Sequence, residues 1–571
     1  MNKNIFKLNL FIPTFFGLVF SFFSLNTISA LDSVSLVKDI NVGTNGSDIQ
    51  KIKNVNGSLY FQATDGLNNY ELWKSNGTDT GTIKLCDMFA PIWGSIEVNG
   101  VFYFNTYMGG PTYGNELWRS DGTIAGTKMV KDINPGSGDG VNYDGSNDYN
   151  FISINGFVYF QANDGVNGNE LWKTDGTEAG TVMVKDIYSG SNNSNPINFI
   201  NINGTLYFTA IDSTNGRELW KSDGTQSGTV LVKDLYPGSN DSNIYYLTDV
   251  NGILYFTVDD GVNGRELWKS DGTQSGTIMI KDIYIGINDS YPSFLINLNG
   301  TLYFQANNGI NGAELWKSDG TQTGTVMVKD IYTGSNFSSP SSFINVNGTL
   351  YFVATDLING IELWKSDGTE AGTVMVKDIR PGSGNFSPSN LTNVNGILYF
   401  SAYDGIHGYE LWKTDGTDTG TVMIKDINSA GPNSSYPSNL IIINGIVYFQ
   451  ANDVINGAEL WKSDGTEMGT VMIKDIRSGS NNSSPSSLIN INGTLYFIAN
   501  DGTHGIELWK LVNYGADQSY DSVGNYTGST KAVLGVYENP GYRHKIYEDT
   551  LYKYLENFHQ LTGLMLKKFS K

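Results

Sequence analysis

The sequence predicts an all-β protein: a β-propeller of about ten four-stranded blades, closed by an N-terminal strand and followed by a short C-terminal helical segment. Three observations predict it. The motif Glu-Leu-Trp recurs ten times, and its copies lie 48 residues apart from Glu170 to Glu410. Each copy belongs to a set of four short apolar runs. A fixed period of this length indicates an array of one supersecondary unit. Finally, a strand-like run near the start of the chain has the sequence that the tenth copy lacks.

The copy between Phe343 and Ile379 shows the four strands of one unit. Its runs are FINV, TLYFVA, IELWKSDGT and VMVKDI, and turn residues separate them. Such runs, rich in β-branched and aromatic residues, favour strands. The pair Asn347-Gly348 joins the first two runs, and Asn-Gly favours a tight hairpin. Together the runs predict an antiparallel meander with the size of one propeller blade.

The faces of these strands predict stacking of the blades. Leu363 and Trp364 are successive residues of one strand, so they point to opposite faces. A sheet with two apolar faces needs a neighbour on each side, which a ring of blades provides. Burying one tryptophan removes ~150–250 Å² from water. The tryptophans expected in these interfaces are Trp172, Trp220, Trp268, Trp316, Trp364, Trp412, Trp461 and Trp509.

The two ends of the repeat region predict how the ring closes. The tenth copy ends after Lys510 without a fourth strand, whereas residues 36–40 match the fourth strand at residues 183–187. An N-terminal strand that completes the last blade would cover the exposed edge. Two rings of five blades and an open superhelix are the alternatives. The unbroken spacing between the fifth and sixth copies argues against two rings.

The segments outside the repeats are predicted from their composition. Residues 1–30 have the pattern of a secretory signal peptide, with a retained membrane anchor as the alternative. The propeller is expected at residues 31–510, a linker at 511–530, and a C-terminal segment at 531–571. Within that segment, apolar residues from Tyr547 to Met565 follow helical spacing. The protein is therefore expected to be secreted or at the cell surface, with the periplasm as a further location.

Charge and cysteine content limit the partners. The formal net charge is −21, which repels nucleic acid and anionic lipid. We therefore expect no nucleic-acid partner, and no membrane contact beyond the signal peptide. Cys86 is the only cysteine, so the chain has no internal disulfide, as suits a bacterial exported protein.

The glutamate of the repeated motif is a candidate for chemistry or for structure. A buried carboxylate has a raised pKa and could act as a general acid. Catalysis rarely needs ten identical copies, so we expect a structural role for Glu170. It should form a cross-strand ion pair with Lys185 or hydrogen bonds to a turn. In the first copy Cys86 replaces that lysine, so Glu71 should lack the ion pair.

The loop before each glutamate has the oxygen ligands that calcium prefers. An Asp and an Asn three residues apart recur there. The candidates are Asp164 with Asn167, Asp260 with Asn263, Asp356 with Asn359, and Asp453 with Asn456. Asx-turns explain the same residues without a metal. Histidine replaces the Asn at His407 and His504. We therefore expect no cofactor, with calcium as the open alternative.

The stretch Glu-Leu-Trp-Lys-Ser-Asp-Gly-Thr resembles the ELWxxDGT repeat family of exported bacterial proteins. The resemblance covers nearly all of residues 33–510, with departures at Asn76 and Arg119 and in the last copy. It implies export and a propeller-like repeat, and it implies no established activity.

The sequence predicts a non-enzymatic exported scaffold that binds glycan or protein through a rim of the ring. Tenfold repetition without a unique chemical site favours it, because no nucleophile, zinc or phosphate-binding pattern is present. One alternative is a glycan hydrolase or lyase with a site in the irregular second and third repeats, near Asp144 and Asp148. The other is a structural surface component stabilised by calcium.

Overall fold

The protein is described from a computed structural model, which covers residues 32–67, 70–107, 113–141, 151–429 and 431–513. This part contains forty strands in ten four-stranded sheets and no helix. The predicted signal peptide, the linker beyond Asn513, the C-terminal helix, and Asp144 and Asp148 lie outside the described residues. Within the described part, nothing helical is present that could span a membrane.

Each blade is an antiparallel meander, and blades 1 to 10 follow chain order. The first strands are β2 (Gln50–Val55), β6 (Ser95–Val98), β10 (Ile152–Ile154), β14 (Ile197–Ile202), β18 (Tyr245–Val250), β22 (Ser293–Leu298), β26 (Ser341–Val346), β30 (Ser389–Val394), β34 (Ser438–Ile443) and β38 (Ser486–Ile491). The second strands are β3 (Ser58–Ala63), β7 (Val101–Tyr107), β11 (Phe157–Asn163), β15 (Thr205–Asp212), β19 (Ile253–Asp259), β23 (Thr301–Asn307), β27 (Thr349–Asp356), β31 (Ile397–Tyr403), β35 (Ile446–Asn452) and β39 (Thr494–Asn500).

The third strands carry the Glu-Leu-Trp motif. They are β4 (Tyr70–Ser75), β8 (Asn115–Ser120), β12 (Asn169–Thr174), β16 (Gly216–Ser222), β20 (Arg265–Ser270), β24 (Ala313–Ser318), β28 (Gly360–Ser366), β32 (Tyr409–Thr414), β36 (Ala458–Ser463) and β40 (Ile506–Asn513). The fourth strands are β5 (Ile83–Met88), β9 (Lys128–Met129), β13 (Val182–Lys185), β17 (Val230–Lys233), β21 (Ile278–Lys281), β25 (Val326–Lys329), β29 (Val374–Met375), β33 (Val422–Lys425) and β37 (Val471–Lys474), with β1 (Asp32–Lys38) completing blade 10.

The hairpin between the first two strands has the predicted Asn-Gly geometry. In blade 7, Asn347 and Gly348 both have positive φ, at 51° and 86°. The side chain of Asn345 accepts a hydrogen bond of 2.8 Å from the amide of Gly348. Positive φ at both positions is what a type I′ turn requires, and this turn fits the twist of a β-hairpin.

Neighbouring blades bury their apolar faces against each other. Between blades 5 and 6, Tyr255 and Leu267 of one blade pack with Phe304 and Trp316 of the next. An apolar core at this interface makes the ring continuous from the fifth to the sixth blade. The alternative of two five-bladed rings is therefore wrong.

The predicted ring closure is confirmed. Strand β1 pairs with β40, so the N-terminal strand completes the last blade. Its residue Val37 then packs with Phe61 of blade 1 and Leu508 of blade 10 in one core. The amide of Ile40 donates to the carboxylate of Glu507 over 3.3 Å, so the early chain also supplies hydrogen bonds that the last blade needs.

The first strands are the innermost ones, because first strands of successive blades contact each other around the ring. Most of them contain a β-bulge. In β2 the register shifts between Gln50 and Lys53, and Lys51 has a φ of 54°. A bulge leaves one residue unpaired in the ladder and turns its side chain aside. Tyr246 and Phe294 occupy the same place in β18 and β22.

Candidate functional site

Most motif glutamates are fully buried and accept hydrogen bonds from the loop that leads to the next blade. Glu170 is 0 % exposed and accepts hydrogen bonds from the amides of Ile187 (2.7 Å) and Ser194 (3.1 Å) and from the Ser194 hydroxyl (2.7 Å). Burial raises the pKa of Glu170 to about 7, although these donors lower it in part. A carboxylate occupied by the protein's own backbone holds a loop in place and is closed to a substrate.

The expected ion pair between Glu170 and Lys185 is not formed. The ammonium of Lys185 donates to the carbonyl of Thr229 in the next blade over 2.8 Å. It also lies 5.8 Å from the centre of the Trp220 ring. Lys185 on the fourth strand therefore joins two blades, because Glu170 in its own blade already has backbone donors. The alternative expectation, hydrogen bonds between the glutamate and a turn, is what the structure shows, with the carboxylate as the acceptor.

The motif tryptophans lie between blades, where the sequence placed them. All of them are buried, with exposed fractions between 5 % and 7 %: Trp172, Trp220, Trp268, Trp316, Trp364, Trp412, Trp461 and Trp509. They form part of the apolar cores and are not available to a ligand.

Blade 1 replaces the usual arrangement with a lysine that the sequence analysis did not single out. Lys84 lies two residues before Cys86, and its ammonium is 3.5 Å from Glu71, 3.0 Å from Asp65 and 2.9 Å from Asp87. The expectation that Glu71 lacks a lysine is therefore wrong. The signal was present in the repeat, since the other complete blades have an apolar residue where blade 1 has Lys84.

The calcium candidates form Asx-turns. Oδ1 of Asp164 accepts hydrogen bonds from the amides of Val166 (2.9 Å) and Asn167 (2.7 Å), and Oδ2 accepts one from the Asn167 side chain (2.7 Å). The same side-chain contact of 2.7 Å joins Asp260 to Asn263, Asp356 to Asn359, and Asp453 to Asn456. Calcium at these pairs stays a prediction. Across the described ranges, no three His, Cys, Asp or Glu side chains form a group that could hold a metal as they stand.

A cavity opens on the inner side of the ring where blades 10, 1 and 2 meet. It has a volume of about 330 Å³ and is lined by three short segments: Lys51–Lys53, Trp93–Ser95 and Ser487–Ile489. We call this cavity the inner cleft. Ile52, Leu488 and Ile489 are partly buried and form an apolar floor, whereas Lys51 and Lys53 are exposed.

The inner cleft is the positive part of the inner wall. Lys51 and Lys53 are the only cationic residues of the ten first strands, which otherwise carry the charges of Glu97 and Asp249. Both of those acids accept a hydrogen bond from a hairpin amide, at Gly100 and Gly252. No ion pair involving either lysine occurs in the part of the chain that the structure describes. Comparing the repeats would have found them, since the other bulges place uncharged residues at the position of Lys51.

No family model and no curated protein matches the chain. The resemblance to the ELWxxDGT repeat family therefore stays a prediction. Among solved structures, the chain is similar to a puromycin hydrolase, with 12 % identity over 66 % of this chain and 61 % of that one and a TM-score of 0.30. It is also similar to a structure from a study of two prolyl endopeptidases, with 11 % identity over 74 % of this chain and 56 % of that one and a TM-score of 0.32. The chain thus spans less than two thirds of the length of these neighbours.

These neighbours correct the predicted function. They are enzymes, so the expectation of a non-enzymatic scaffold that acts through its rim is contradicted, and we withdraw it. Repetition was a weak reason to exclude catalysis, because a repeat can hold a single site where its copies differ. With TM-scores of 0.30 and 0.32, the likeness assigns no peptidase activity to this chain.

Proposed function

We propose that the protein binds a small organic anion in the inner cleft. The observation that carries the proposal is the pair Lys51 and Lys53, two unpaired cations beside an apolar floor within a strongly acidic protein. Export and the cleaved signal peptide stay predictions beside it.

The dimensions of the inner cleft support a small ligand. Its volume of about 330 Å³ is at the lower end of the range for small-molecule sites, ~300–1,000 Å³. The partly buried Ile52 and Leu488 offer contact to an apolar body, and Trp93 adds an aromatic wall. An aromatic or short aliphatic carboxylate or phosphate has both the apolar body and the charge that these residues recognise.

The charge distribution favours a small anion over a large one. The net charge of −21 repels an extended polyanion that would have to cover much of the surface. A small anion reaches the two lysines without contacting the acidic exterior. Hydrogen bonds in which both groups are charged are stronger than neutral ones, typically ~1.5–3 kcal/mol each.

Titration calorimetry with 1-naphthoate and phenyl phosphate tests the proposal. We expect saturable binding of at least one anion and no binding of the neutral 1-naphthalenemethanol. The double variant Lys51→Met and Lys53→Met should weaken binding at least about tenfold, because ~1.4 kcal/mol corresponds to a factor of ten.

The matched control is Lys221→Met, which removes a lysine from the third strand of blade 4, away from the inner cleft. It lowers the net charge by one without touching the proposed site, so binding should remain as in the wild type. Equal anion binding by the double variant and the wild type, or no binding of either anion, would refute the proposal.

A further inference from the structure

Blade 7 contains a buried motif glutamate whose carboxylate has no hydrogen-bond partner. Glu362 is 0 % exposed, and neither of its carboxylate oxygens has a hydrogen-bond partner. Oδ1 of Asp378 is also inaccessible to solvent and unpartnered, as is Oδ1 of the corresponding aspartates of other blades such as Asp186 and Asp330, so the unpartnered glutamate is what distinguishes blade 7. The amides of Ile379 and Arg380 lie near Glu362, yet neither donates a hydrogen bond to it. A buried polar group without a partner costs ~1–3 kcal/mol, and more if it is charged.

A substitution in the following loop explains why Glu362 lacks the usual donor. In blade 6, the hydroxyl of Ser338 donates to Glu314 over 2.6 Å. Phe386 occupies that place in blade 7, since its carbonyl accepts the amide of Tyr403 as that of Ser338 accepts the amide of Thr355. The Phe386 ring packs 5.3 Å from the Trp412 ring and cannot donate a hydrogen bond.

The neighbours of Glu362 add negative charge. Asp378 and Asp356 are its charged neighbours, in the order in which they act on it. Like charges close together in a sheet destabilise it, so a cation between these carboxylates would stabilise the blade.

Blade 1 shows the same arrangement with a cation in place. Glu71 and Asp87, which correspond to Glu362 and Asp378, lie directly opposite each other on adjacent strands. The ammonium of Lys84 lies near both, at 3.5 and 2.9 Å. Lys84 pairs with Trp73 in the ladder, and in blade 7 the residue that pairs with the motif tryptophan is Met375. Blade 7 therefore has the carboxyl groups of blade 1 without the ammonium.

We propose that a divalent cation of the calcium type binds between Glu362 and Asp378 in blade 7, and that Lys84 takes its place in blade 1. Calcium prefers carboxylate oxygens and completes its coordination with carbonyl oxygens or water. The protein would supply two carboxylates, and Asp356 adds negative charge nearby. This ligand set differs from the Asp356–Asn359 pair, whose oxygens are used inside the Asx-turn.

Calcium stoichiometry of the full chain tests the proposal, measured by equilibrium dialysis after treatment with a chelator. Glu362→Gln keeps the side-chain volume and removes the charge, so it should bind one calcium fewer per chain than the wild type. Met375→Lys should likewise bind one fewer, because it places an ammonium where blade 1 has Lys84. Dialysis against magnesium in parallel shows whether the site prefers the larger ion.

Met327→Lys is the matched control, since Met327 pairs with Trp316 in blade 6, where Glu314 already has its serine donor. Its calcium stoichiometry should equal that of the wild type. The proposal is overturned if the chain binds neither calcium nor magnesium, or if Glu362→Gln retains the wild-type number of ions. Because glutamine is isosteric with glutamate, Glu362→Gln remains informative even where Met375→Lys fails to fold.

Discussion

Removing the ammonium of Lys84 from blade 1 should destabilise the ring, and the pKa of Asp65 sets an upper bound on its contribution through that carboxylate. Lys84→Met installs the residue that blade 3 has at the same position, Met183. Burial tends to raise the pKa of Asp65, but hydrogen bonds with Leu67, Glu71 and Lys84, together with the charge of Lys84, lower it from 3.8 to about 2. This shift corresponds to about 2.5 kcal/mol for all of these interactions together, and Lys84 supplies only part of it. We therefore expect Lys84→Met to lose about 1 kcal/mol of the free energy of unfolding at pH 7, the usual size for a partly exposed ion pair.

The pH dependence gives this prediction its sign. A carboxyl group with a depressed native pKa stabilises the fold above its unfolded pKa, and this stabilisation is lost as the pH falls through the native value. For Asp65 that window lies between about 4 and about 2. The difference between Lys84→Met and the wild type should therefore shrink as the pH is lowered across it.

Urea unfolding followed by tryptophan fluorescence, at pH 7 and at pH 3, measures both quantities. Lys221→Met is the control, since no ion pair of Lys221 occurs among the described residues. It should unfold at the wild-type urea concentration at either pH. A Lys84→Met variant as stable as the wild type at pH 7, or one with an undiminished deficit at pH 3, would refute the reasoning.

Two further predictions concern the whole ring. Burial raises the pKa of the motif glutamate Glu170 from 4.5 to about 7, so its protonated form is favoured in the fold. The stability that protonated Glu170 adds to the fold is complete below about pH 4.5 and is lost as the pH rises through about 7. The thermal midpoint should therefore fall between pH 5 and pH 9, and a flat or rising profile would contradict this prediction. The closing strand buries Val37, which is 4 % exposed. The variant Val37→Asp should therefore lower the thermal midpoint, and its unpaired strand edge should promote aggregation, seen by size-exclusion chromatography. The control Val42→Asp, at a site 84 % exposed, should have no effect. Equal behaviour of the two variants would speak against closure by the N-terminal strand.

The sequence was a good guide where the same local pattern recurs in every unit. The Asn347-Gly348 turn and the alternation of Leu363 and Trp364 are local features, and each follows from backbone preference or strand periodicity. The missing strand after Lys510 and its match near the start of the chain predicted the closure. That inference needed only the repeat itself, since an unpaired edge in the last blade requires a partner.

The sequence was a poor guide to which polar groups meet. It paired Glu170 with Lys185, because both lie on neighbouring strands of one blade. In the structure Lys185 reaches Thr229 of the next blade, and Glu170 takes donors from the loop at Ser194. Distances between blades depend on how the sheets stack, and no pattern within one repeat contains that information.

The chain alone determined the strand order, the tenfold repetition and the means of closure, because these depend on periodicity and on burying two apolar faces of each sheet. Only the tertiary structure decided that Lys51 and Lys53 share a cleft with Leu488, which is more than four hundred residues away in the chain. It also decided that Glu362 lacks a donor while Glu71 has Lys84 beside it. The physical reason is that hydrogen bonds and charge pairs act over a few ångströms, and closing the ring sets those distances.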